Sequence, residues 1–425
     1  MKKSPINISI SIALTVVCFN TFAADKITST STSTSTSTST SNQKSIFAYG
    51  TYKEVNGLRV FSPSTNESQV TPQALTASRS PSERMAHTNT LYVAPLAGAN
   101  TLSPQGVSPS KLHSVYQITP SGAGKTIAIV DAYHDVNAAA KLSHYSQTFG
   151  LPEADFSVVY ASGAKPQANA GWAGEADLDV QMAHAMAPDA KVVLVEAATA
   201  NFNDMFDAVT VATQIVENNG GGVVSMSWSG QDSSGESAKD SYFDNPVVYI
   251  ASTGDDGGQS GYPATSPNVI AAGGTKILSD GSQVAWSYDA NSNWGGNGGT
   301  SSYEYEPQYQ IDNAKAHSMI NGMRGTPDLS ADADPASGVS VYTSSGWQVV
   351  GGTSAAAPIL AAVIVNANVS ADLTSYQMLE KIYNAPSSSW YDVTSGSNKL
   401  HEYAEPGYDL VTGLGAPLGV SGFEG

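Results

Sequence analysis

Segments rich in β-branched residues alternate with segments of helical periodicity through the middle of the chain. Strands are predicted at Thr126–Tyr133, Lys191–Ala197, Gly221–Trp228 and Pro246–Ser252. Between them, Asn137–Phe149 and Phe202–Asn218 have the length and apolar spacing of helices. Strands joined through helices pair in parallel with right-handed crossovers. We therefore predict an α/β fold with a doubly wound, mainly parallel central sheet flanked by helices, and a site at the strands' C-terminal ends.

The composition limits the partners that the chain can have. Its 425 residues and 41% apolar content suffice for one large domain with an appendage. The net charge of -18 argues against nucleic acid and against anionic membranes as partners. No segment after the N-terminal leader is long and apolar enough to span a bilayer. These features are typical of a protein that stays soluble outside the cell.

The N-terminal leader has a basic start, an apolar stretch and small residues that suit cleavage after Ala23. Residues 1–23 are therefore predicted to be a signal peptide, which makes the protein secreted or periplasmic. The single cysteine, Cys18, lies inside this leader. The mature chain is accordingly expected to have neither a disulfide nor thiol chemistry.

The next residues divide into three parts by composition. Residues 24–44 are dominated by alternating Thr and Ser, which predicts a flexible spacer. Residues 45–90 are mixed and polar, and they fit a short N-terminal extension as well as a pro-segment. The strand and helix pattern belongs to residues 91–425, which are predicted to form the main domain.

The segment GGTSAAAP, Gly351–Pro358, places a serine behind two glycines and before an apolar run. Pro358 falls in the first helical turn, where its missing N–H costs nothing. The start of this helix offers backbone N–H groups and a positive dipole end to an oxyanion. Ser354 is thus a candidate nucleophile for acyl transfer. The alternative is that these small residues only allow the start of the helix to pack closely against the sheet.

Carboxylates are better candidates than histidines to take the serine proton. None of the seven histidines lies at a helix start, and His184 fits a packing residue on an apolar helix face. Glu175 and Asp179 are four residues apart on a predicted helix, which puts their Cβ atoms roughly 6 Å apart on one face. Such a pair shares a proton and can accept and return one. Acidic residues also simply favour a helix N-terminus. Asp177 should point elsewhere.

The segment ASTGDDGG, Ala251–Gly258, directly follows a predicted strand. Asp255 would therefore lie at the strand's C-terminal end, where its protonated form can donate a hydrogen bond to an oxyanion. Acidic pH favours that form. An Asp-Gly turn is the alternative interpretation. Asp131, at the end of the first strand, is interpreted as structural or indirect.

Together these segments resemble the sedolisin family of serine–carboxyl peptidases, which has a subtilisin-like fold with glutamate in place of histidine. GEADLD, STGDDG and GGTSAAAP match the family's motifs in their order along the chain, and the resemblance runs from about Leu91 to the C terminus. It implies a peptidase domain over residues 91–425. The implied catalytic residues are the nucleophile Ser354, the general acid/base Glu175, its partner Asp179 and the oxyanion donor Asp255.

The resemblance also implies a substrate cleft and a calcium site. The cleft would be lined by Ser227, Trp228, Ser229 and Gly230, where an extended peptide can pair with a strand edge. One Ca²⁺ would be held by the carboxylates of Asp392 and Asp409 and the carbonyls of Val393, Glu405 and Gly407. A Gly, Asp and Ser-rich loop that needs no ion is the alternative.

The sequence therefore predicts an exported, acid-active serine endopeptidase that acts as a monomer on protein or peptide substrates. Two departures from the family pattern stand out. The residues before the peptidase domain are too few for the family's large pro-domain, and Asp256 stands where serine is common. A catalytically inactive surface or binding protein is the main alternative. A histidine-dependent protease using Asp131 is the weaker one.

Overall fold

The computed structural model describes residues 50–55, 58–63, 85–94 and 102–424. The predicted signal peptide, its cleavage after Ala23 and the Ser/Thr-rich spacer lie outside the described residues. Residues 45–425 belong to one compact unit. No helix in the described part of the chain has the length and apolarity to cross a membrane.

Strands and helices follow one another through this unit. In chain order, the strands are β1 (Gly50–Val55), β2 (Leu58–Pro63), β3 (His87–Thr88), β4 (Leu91–Ala94), β5 (Thr126–Ala132), β6 (Asp155–Tyr160), β7 (Lys191–Ala197), β8 (Gly222–Met226), β9 (Trp228–Ser229), β10 (Val248–Ser252), β11 (Ile270–Ile277), β12 (Gln283–Ala285), β13 (Gly299–Tyr305), β14 (Met323–Thr326), β15 (Leu329–Asp332), β16 (Val339–Thr343), β17 (Gly346–Gly351), β18 (Trp390–Tyr391) and β19 (Ala416–Pro417). The α-helices are α1 (Pro109–Tyr116), α2 (Ala138–Phe149), α3 (Ala170–Met186), α4 (Phe202–Asn218), α5 (Gln308–Asp312), α6 (Ala314–Met319), α7 (Thr353–Asn366) and α8 (Ser375–Asn384).

The central sheet has the strand order β12-β11-β10-β8-β5-β7-β6, and β15 also pairs with β11. Its described pairs are parallel except for the antiparallel pair of β11 with β12. The predicted doubly wound, mainly parallel sheet is therefore confirmed. The bounds predicted for β7 and α4 agree with the structure residue for residue.

One predicted strand, Gly221–Trp228, is divided in the structure into β8 and β9. The division falls at Ser227, whose carbonyl oxygen accepts hydrogen bonds from the backbone N–H of Asn89 and from the hydroxyl of Ser354. Ser227 thus leaves the sheet ladder to bond to groups at the end of the sheet. Apolar periodicity could not reveal this, because both partners are remote in sequence.

Helices cover the two faces of the central sheet. In β5, Ile127 and Ile129 belong to the core cluster that contains α3 and α7. The alternating residues Ala128 and Val130 belong to the cluster that contains α4. Because successive side chains of a strand point to opposite faces, both faces of β5 are buried.

Helix α7 is buried on all sides. Every residue from Thr353 to Val365 is buried, and the helix packs against α3, β8, β10, β11 and β15. Such a uniformly apolar helix is stable only inside a protein core. Its N-terminus is preceded by Gly352 at φ 108°, where a Cβ atom would lie only 2.1 Å from the carbonyl oxygen of Asn89. This position therefore requires glycine.

A second, five-stranded sheet has the order β1-β2-β4-β17-β16. Strand β4 pairs antiparallel with β17, so that Leu91 lies opposite Gly351. Strand β17 leads directly into α7. The segment around residue 91 is therefore hydrogen-bonded to the backbone that carries Ser354.

Buried carboxyl groups also occur away from α7, around the segment after β9. Burial first, and its hydrogen bond with Asp232 next, raise the pKa of Glu236 to about 9. Burial likewise raises the pKa of Glu304 in β13 to about 8, with a further contribution from the charge of Asp240. Both groups therefore keep their protons at neutral pH.

We predict that the melting temperature falls as the pH rises from 5 to 9. Groups with a raised folded-state pKa bind more protons in the folded chain than in the unfolded one, so their stabilisation is complete below about pH 4 and is lost as the pH rises toward their folded pKa. We expect a decrease of about 5 °C or more, measured by calorimetry. Glu304→Gln should flatten this decrease, whereas the matched change at an exposed position, Glu153→Gln, should leave it unchanged. An equally steep decrease in both variants would contradict the assignment.

Candidate active site

Ser354 is the second residue of α7 and is fully buried. Its backbone N–H donates to the carbonyl oxygen of Asn89 at 3.0 Å. Its hydroxyl donates to the carbonyl oxygen of Ser227 at 3.1 Å. The helix N-terminus thus already holds a carbonyl oxygen against the N–H of the candidate nucleophile, which is the geometry that an oxyanion site requires.

Glu175 and Asp179 lie on α3, the helix that packs beside α7. The side chain of Asn169 caps α3 by accepting from the N–H groups of Gly171 and Trp172. Both carboxyl groups are completely buried in the second and third turns. Glu175 accepts a hydrogen bond from the hydroxyl of Thr90. The four-residue spacing places both side chains on one face of α3, and Glu175 lies beside Ser354 at the start of α7.

Burial and the charges of neighbouring carboxylates raise the pKa values of both carboxyl groups. Burial is the largest cause of the raised pKa of Glu175, followed by the charge of Asp131, and the hydroxyls of Thr90 and Ser354 oppose the rise. Burial is also the largest cause of the raised pKa of Asp179, followed by the charges of Asp131 and Glu175. Groups that interact this strongly share protons and titrate together.

The charge of Asp131 acts on both members of this carboxyl pair. Asp131 is the sixth residue of β5, it is completely buried, and neither carboxyl oxygen has a hydrogen-bond partner among the described residues. Its pKa is raised by burial first and by the charge of Glu196 next. Glu196 in turn bonds to His134 Nδ1 at 2.8 Å. Asp131 thus connects the carboxyl pair electrostatically to a second buried pair.

Asp255 lies beyond the C-terminal end of β10, as predicted. One carboxyl oxygen, Oδ1, accepts from both the N–H and the hydroxyl of Thr353, each at 2.8 Å. The other, Oδ2, is buried without a partner among the described residues. Burial raises the pKa of Asp255 to about 8, although its bonds from Thr353 oppose the rise. Below that pH, Oδ2 is the oxygen left to carry the proton.

Oδ2 of Asp255 and the carbonyl oxygen of Asn89 both lie next to the Cα atom of Gly352. A Cβ atom on Gly352 would be 2.7 Å from Oδ2 and 2.1 Å from that carbonyl oxygen. The absent side chain of Gly352 therefore leaves room for a carbonyl group beside Asp255. This is where a protonated carboxyl can stabilise an oxyanion.

No histidine in the described part of the chain bonds to Ser354. His134 bonds to Glu196, and His184 bonds to the carbonyl oxygen of Pro152 at 3.0 Å. His87 is the histidine in the cavity beside Asp255, and its Nε2 is 3.4 Å from the hydroxyl of Ser229. These positions give no support to a histidine-dependent triad.

Asp177 points away from the site, as predicted. Its carboxylate forms an ion pair with the buried Lys141 at 2.7 Å, and Lys141 also pairs with Asp135 at 2.6 Å. The prediction that His184 is a packing residue is also confirmed, because it is fully buried on α3.

Of the predicted cleft residues Ser227 to Gly230, Ser229 and Gly230 line a cavity that also borders Asp255 and Asp256. Trp228 lies opposite Thr88 in a strand pair, and its buried side chain donates from Nε1 to the carbonyl oxygen of Val130. Strand β9 pairs antiparallel with β3. The strand edge that was expected to bind a peptide is therefore paired with a segment of the chain itself.

Asn89 and Thr90 were not predicted as site residues, although they touch Ser354 and Glu175 respectively. Both lie in a polar stretch with neither strand nor helix periodicity. The motifs around Ser354 and around Glu175 could be recognised in the sequence. They do not indicate which remote segment of the chain lies in the cleft.

The predicted calcium residues converge on one loop near the C terminus. The Asp392 carboxylate accepts from the N–H of Gly407, and Asp409 Oδ2 accepts from the N–H of Glu405. The described residues contain no group of three or more His, Cys, Asp or Glu side chains suited to a metal. An ion here would therefore depend on backbone carbonyls, such as that of Val393, as much as on the two carboxylates. Hard oxygen ligands of this kind fit Ca²⁺.

The chain is similar to known peptidases over much of its length. Kumamolisin from Bacillus sp. (strain MN-32) is 28% identical over 359 residues, which cover 76% of this chain and 64% of that protein. Sedolisin from Pseudomonas sp. (strain 101) is 28% identical over 375 residues, which cover 77% of this chain and 62% of that protein. The chain thus spans less than two thirds of the length of these relatives.

A solved structure shares the fold. Pseudomonas sedolisin, a serine-carboxyl proteinase complexed with two molecules of pseudo-iodotyrostatin, superposes with a TM-score of 0.62 at 25% identity, covering 74% of this chain and 96% of that one. The model of the subtilase family matches residues 163–400, more than half of the chain. The chain therefore belongs to the subtilase family, and within it to the sedolisin family of serine peptidases.

Proposed function

We propose that this protein is an exported serine–carboxyl endopeptidase that forms an acyl-enzyme at Ser354 and works in acid. One observation carries the proposal: the N–H of Ser354 bonds to a peptide carbonyl oxygen at a point that Asp255 Oδ2 also faces. Glu175, on the neighbouring helix, supplies a buried carboxyl group next to the serine. Family membership supports the same chemistry.

In the proposed reaction, the Ser354 hydroxyl attacks the substrate carbonyl carbon and its proton passes to Glu175. The N–H of Ser354 and the protonated Asp255 donate hydrogen bonds to the resulting oxyanion. Glu175 then gives its proton to the leaving amine, and water later hydrolyses the acyl-enzyme. The charges of Asp179 and Asp131 interact with that of Glu175, so their protonation determines how readily Glu175 takes and releases the proton.

The cellular location, oligomeric state and substrates belong to the same proposal. The leader supports export to the periplasm or beyond, the acidic net charge of -18 supports a soluble monomer, and the substrates are proteins or peptides. An extended substrate would pair with the edge formed by Ser227 to Gly230. One Ca²⁺ on the loop between Asp392 and Asp409 would stabilise the C-terminal part of the domain.

We predict that Ser354→Ala lowers kcat/KM for peptide cleavage by about 10,000-fold or more, because no acyl-enzyme can form. The measurement is cleavage of a peptide library between pH 3 and 8 by the purified protein. Ser146→Ala is the matched control, since Ser146 is a buried serine on α2 whose hydroxyl donates within its own helix to the carbonyl oxygen of Leu142. Equal cleavage by Ser354→Ala and the wild type would exclude the serine mechanism.

We predict that activity decreases as the pH rises through about 8, because Asp255 then loses the proton that it donates to the oxyanion. Asp255→Asn should reduce the maximal rate by roughly 10-fold to 100-fold but should abolish this alkaline decrease, since an amide donates at every pH. Asp256→Asn makes the same change in the neighbouring carboxyl group and should keep an alkaline decrease, moved to lower pH because the charge of Asp256 contributes to the raised pKa of Asp255. An unchanged alkaline decrease in Asp255→Asn would argue against the donor role.

Removal of calcium should lower the melting temperature by about 5 °C or more, because an ion bound only to the folded chain stabilises it. Melting is followed by circular dichroism with and without excess chelator, on the Ser354→Ala variant so that proteolysis does not interfere. Asp392→Asn should melt at the chelated value and respond little to added Ca²⁺. Identical melts with and without chelator would refute the calcium proposal.

A further inference from the structure

A short segment of the chain lies in the cleft as an extended strand. In the antiparallel pair of β3 with β9, His87 lies opposite Ser229 and Thr88 lies opposite Trp228. The next residue continues this register, because the N–H of Asn89 donates to the carbonyl oxygen of Ser227 at 3.4 Å. The segment from His87 to Asn89 therefore occupies the strand edge that an extended substrate would use.

The register brings one peptide bond of this segment to Ser354. The carbonyl oxygen of Asn89 is the one that accepts from the Ser354 N–H at 3.0 Å. On the other side of the same bond, the side chain of Thr90 bonds to Glu175, the group that would protonate a leaving amine. The Asn89–Thr90 bond thus has the candidate nucleophile and oxyanion donor at its carbonyl and the acid/base at its amide side.

The Asn89 side chain is held in a pocket built for a short amide. It is 3% exposed, and its Nδ2 donates to the hydroxyls of Ser229 at 3.1 Å and Ser252 at 2.7 Å. The Ser229 hydroxyl also lies 3.2 Å from Oδ1 of Asn89. Both serines are themselves buried. An apolar side chain of the same size would remove these hydrogen bonds from both buried hydroxyls, and the loss of such bonds is the strongest basis for discrimination at a buried polar site.

Building on the peptidase function proposed above, we propose that the protein cleaves its own Asn89–Thr90 bond and that the pocket of Ser229 and Ser252 selects asparagine before the cut bond. In this step Ser354 Oγ bonds to the carbonyl carbon of Asn89 and its proton passes to Glu175. The bond to the Thr90 nitrogen breaks as Glu175 returns that proton, leaving Thr90 with a free amine. Water then hydrolyses the ester, which frees Ser354 and leaves Asn89 with a carboxyl group.

Self-cleavage is tested on the purified full chain, incubated at pH 4 and followed by intact mass and N-terminal sequencing. We expect a product that begins at Thr90, formed with a first-order rate constant that does not change over a tenfold range of protein concentration. Ser354→Ala should remain intact at this bond. Digestion of casein by a chain in which Thr90 never becomes an N terminus would overturn the proposal and leave the peptidase function standing. Failure to cleave casein as well would refute the peptidase function and this proposal with it.

The pocket is tested separately with Asn89→Leu, which keeps the size of the side chain and removes its amide. We expect self-cleavage at this bond to slow by about 100-fold or more. Asn218→Leu makes the same change at an exposed position at the end of α4 and should be processed at the wild-type rate. Melting temperatures identify any variant that does not fold.

A second measurement does not depend on how the variants fold. Processed wild-type protein is given a synthetic peptide with the sequence of residues 85–94, and matched peptides with Leu or Gln in place of Asn. We expect cleavage after Asn at a kcat/KM at least about 100-fold above that for the other two. Equal values for the three peptides would overturn the selectivity of the pocket.

Discussion

The packing of α7 beside α3 is the constraint on which the site depends. Helix α7 is apolar on every side, so it is stable only where α3 and the central strands exclude water from it. That position brings the start of α7, with Ser354, next to the face of α3 that carries Glu175 and Asp179. The proposed chemistry therefore depends on how the core is closed, because the nucleophile and its proton acceptor lie on the two helices that close it.

A carboxyl group in place of histidine as the proton acceptor changes the charge that the site carries after the proton is transferred. A histidine gains a positive charge when it takes a proton, whereas a carboxylate becomes neutral. Glu175, Asp179 and Asp131 are fully buried; burial is the largest cause of their raised pKa values, and the charge of Asp131 raises those of Glu175 and Asp179 further. A site of this kind tolerates burial because its protonated state carries little charge. It is accordingly suited to acid, where that state is stable.

Local pattern was enough to predict the alternation of strands and helices in the central sheet and the spacing of the catalytic candidates. Strand β7 and helix α4 were predicted to the residue, because their apolar periodicity is unbroken and tertiary structure did not alter it. The roles of Asn89 and Thr90 could not be predicted, since they depend on contacts with Ser229 and Glu175, which lie 140 and 85 residues away along the chain. The strong coupling of Asp131 also required the fold, which places β5 next to α3.

The five-stranded sheet determines how firmly the two sides of a cut at residue 89 would stay together. Strand β4 pairs with β17 on one side and with β2 on the other, where Val60 lies opposite Val93. A severed upstream piece would therefore remain attached through backbone hydrogen bonds of β2 as well as of β3. Its departure requires that this edge of the sheet opens, so vacating the cleft is a local unfolding event with its own temperature and denaturant dependence. Breaking the bond and opening the cleft would thus be separate steps, governed respectively by chemistry and by the stability of one sheet edge.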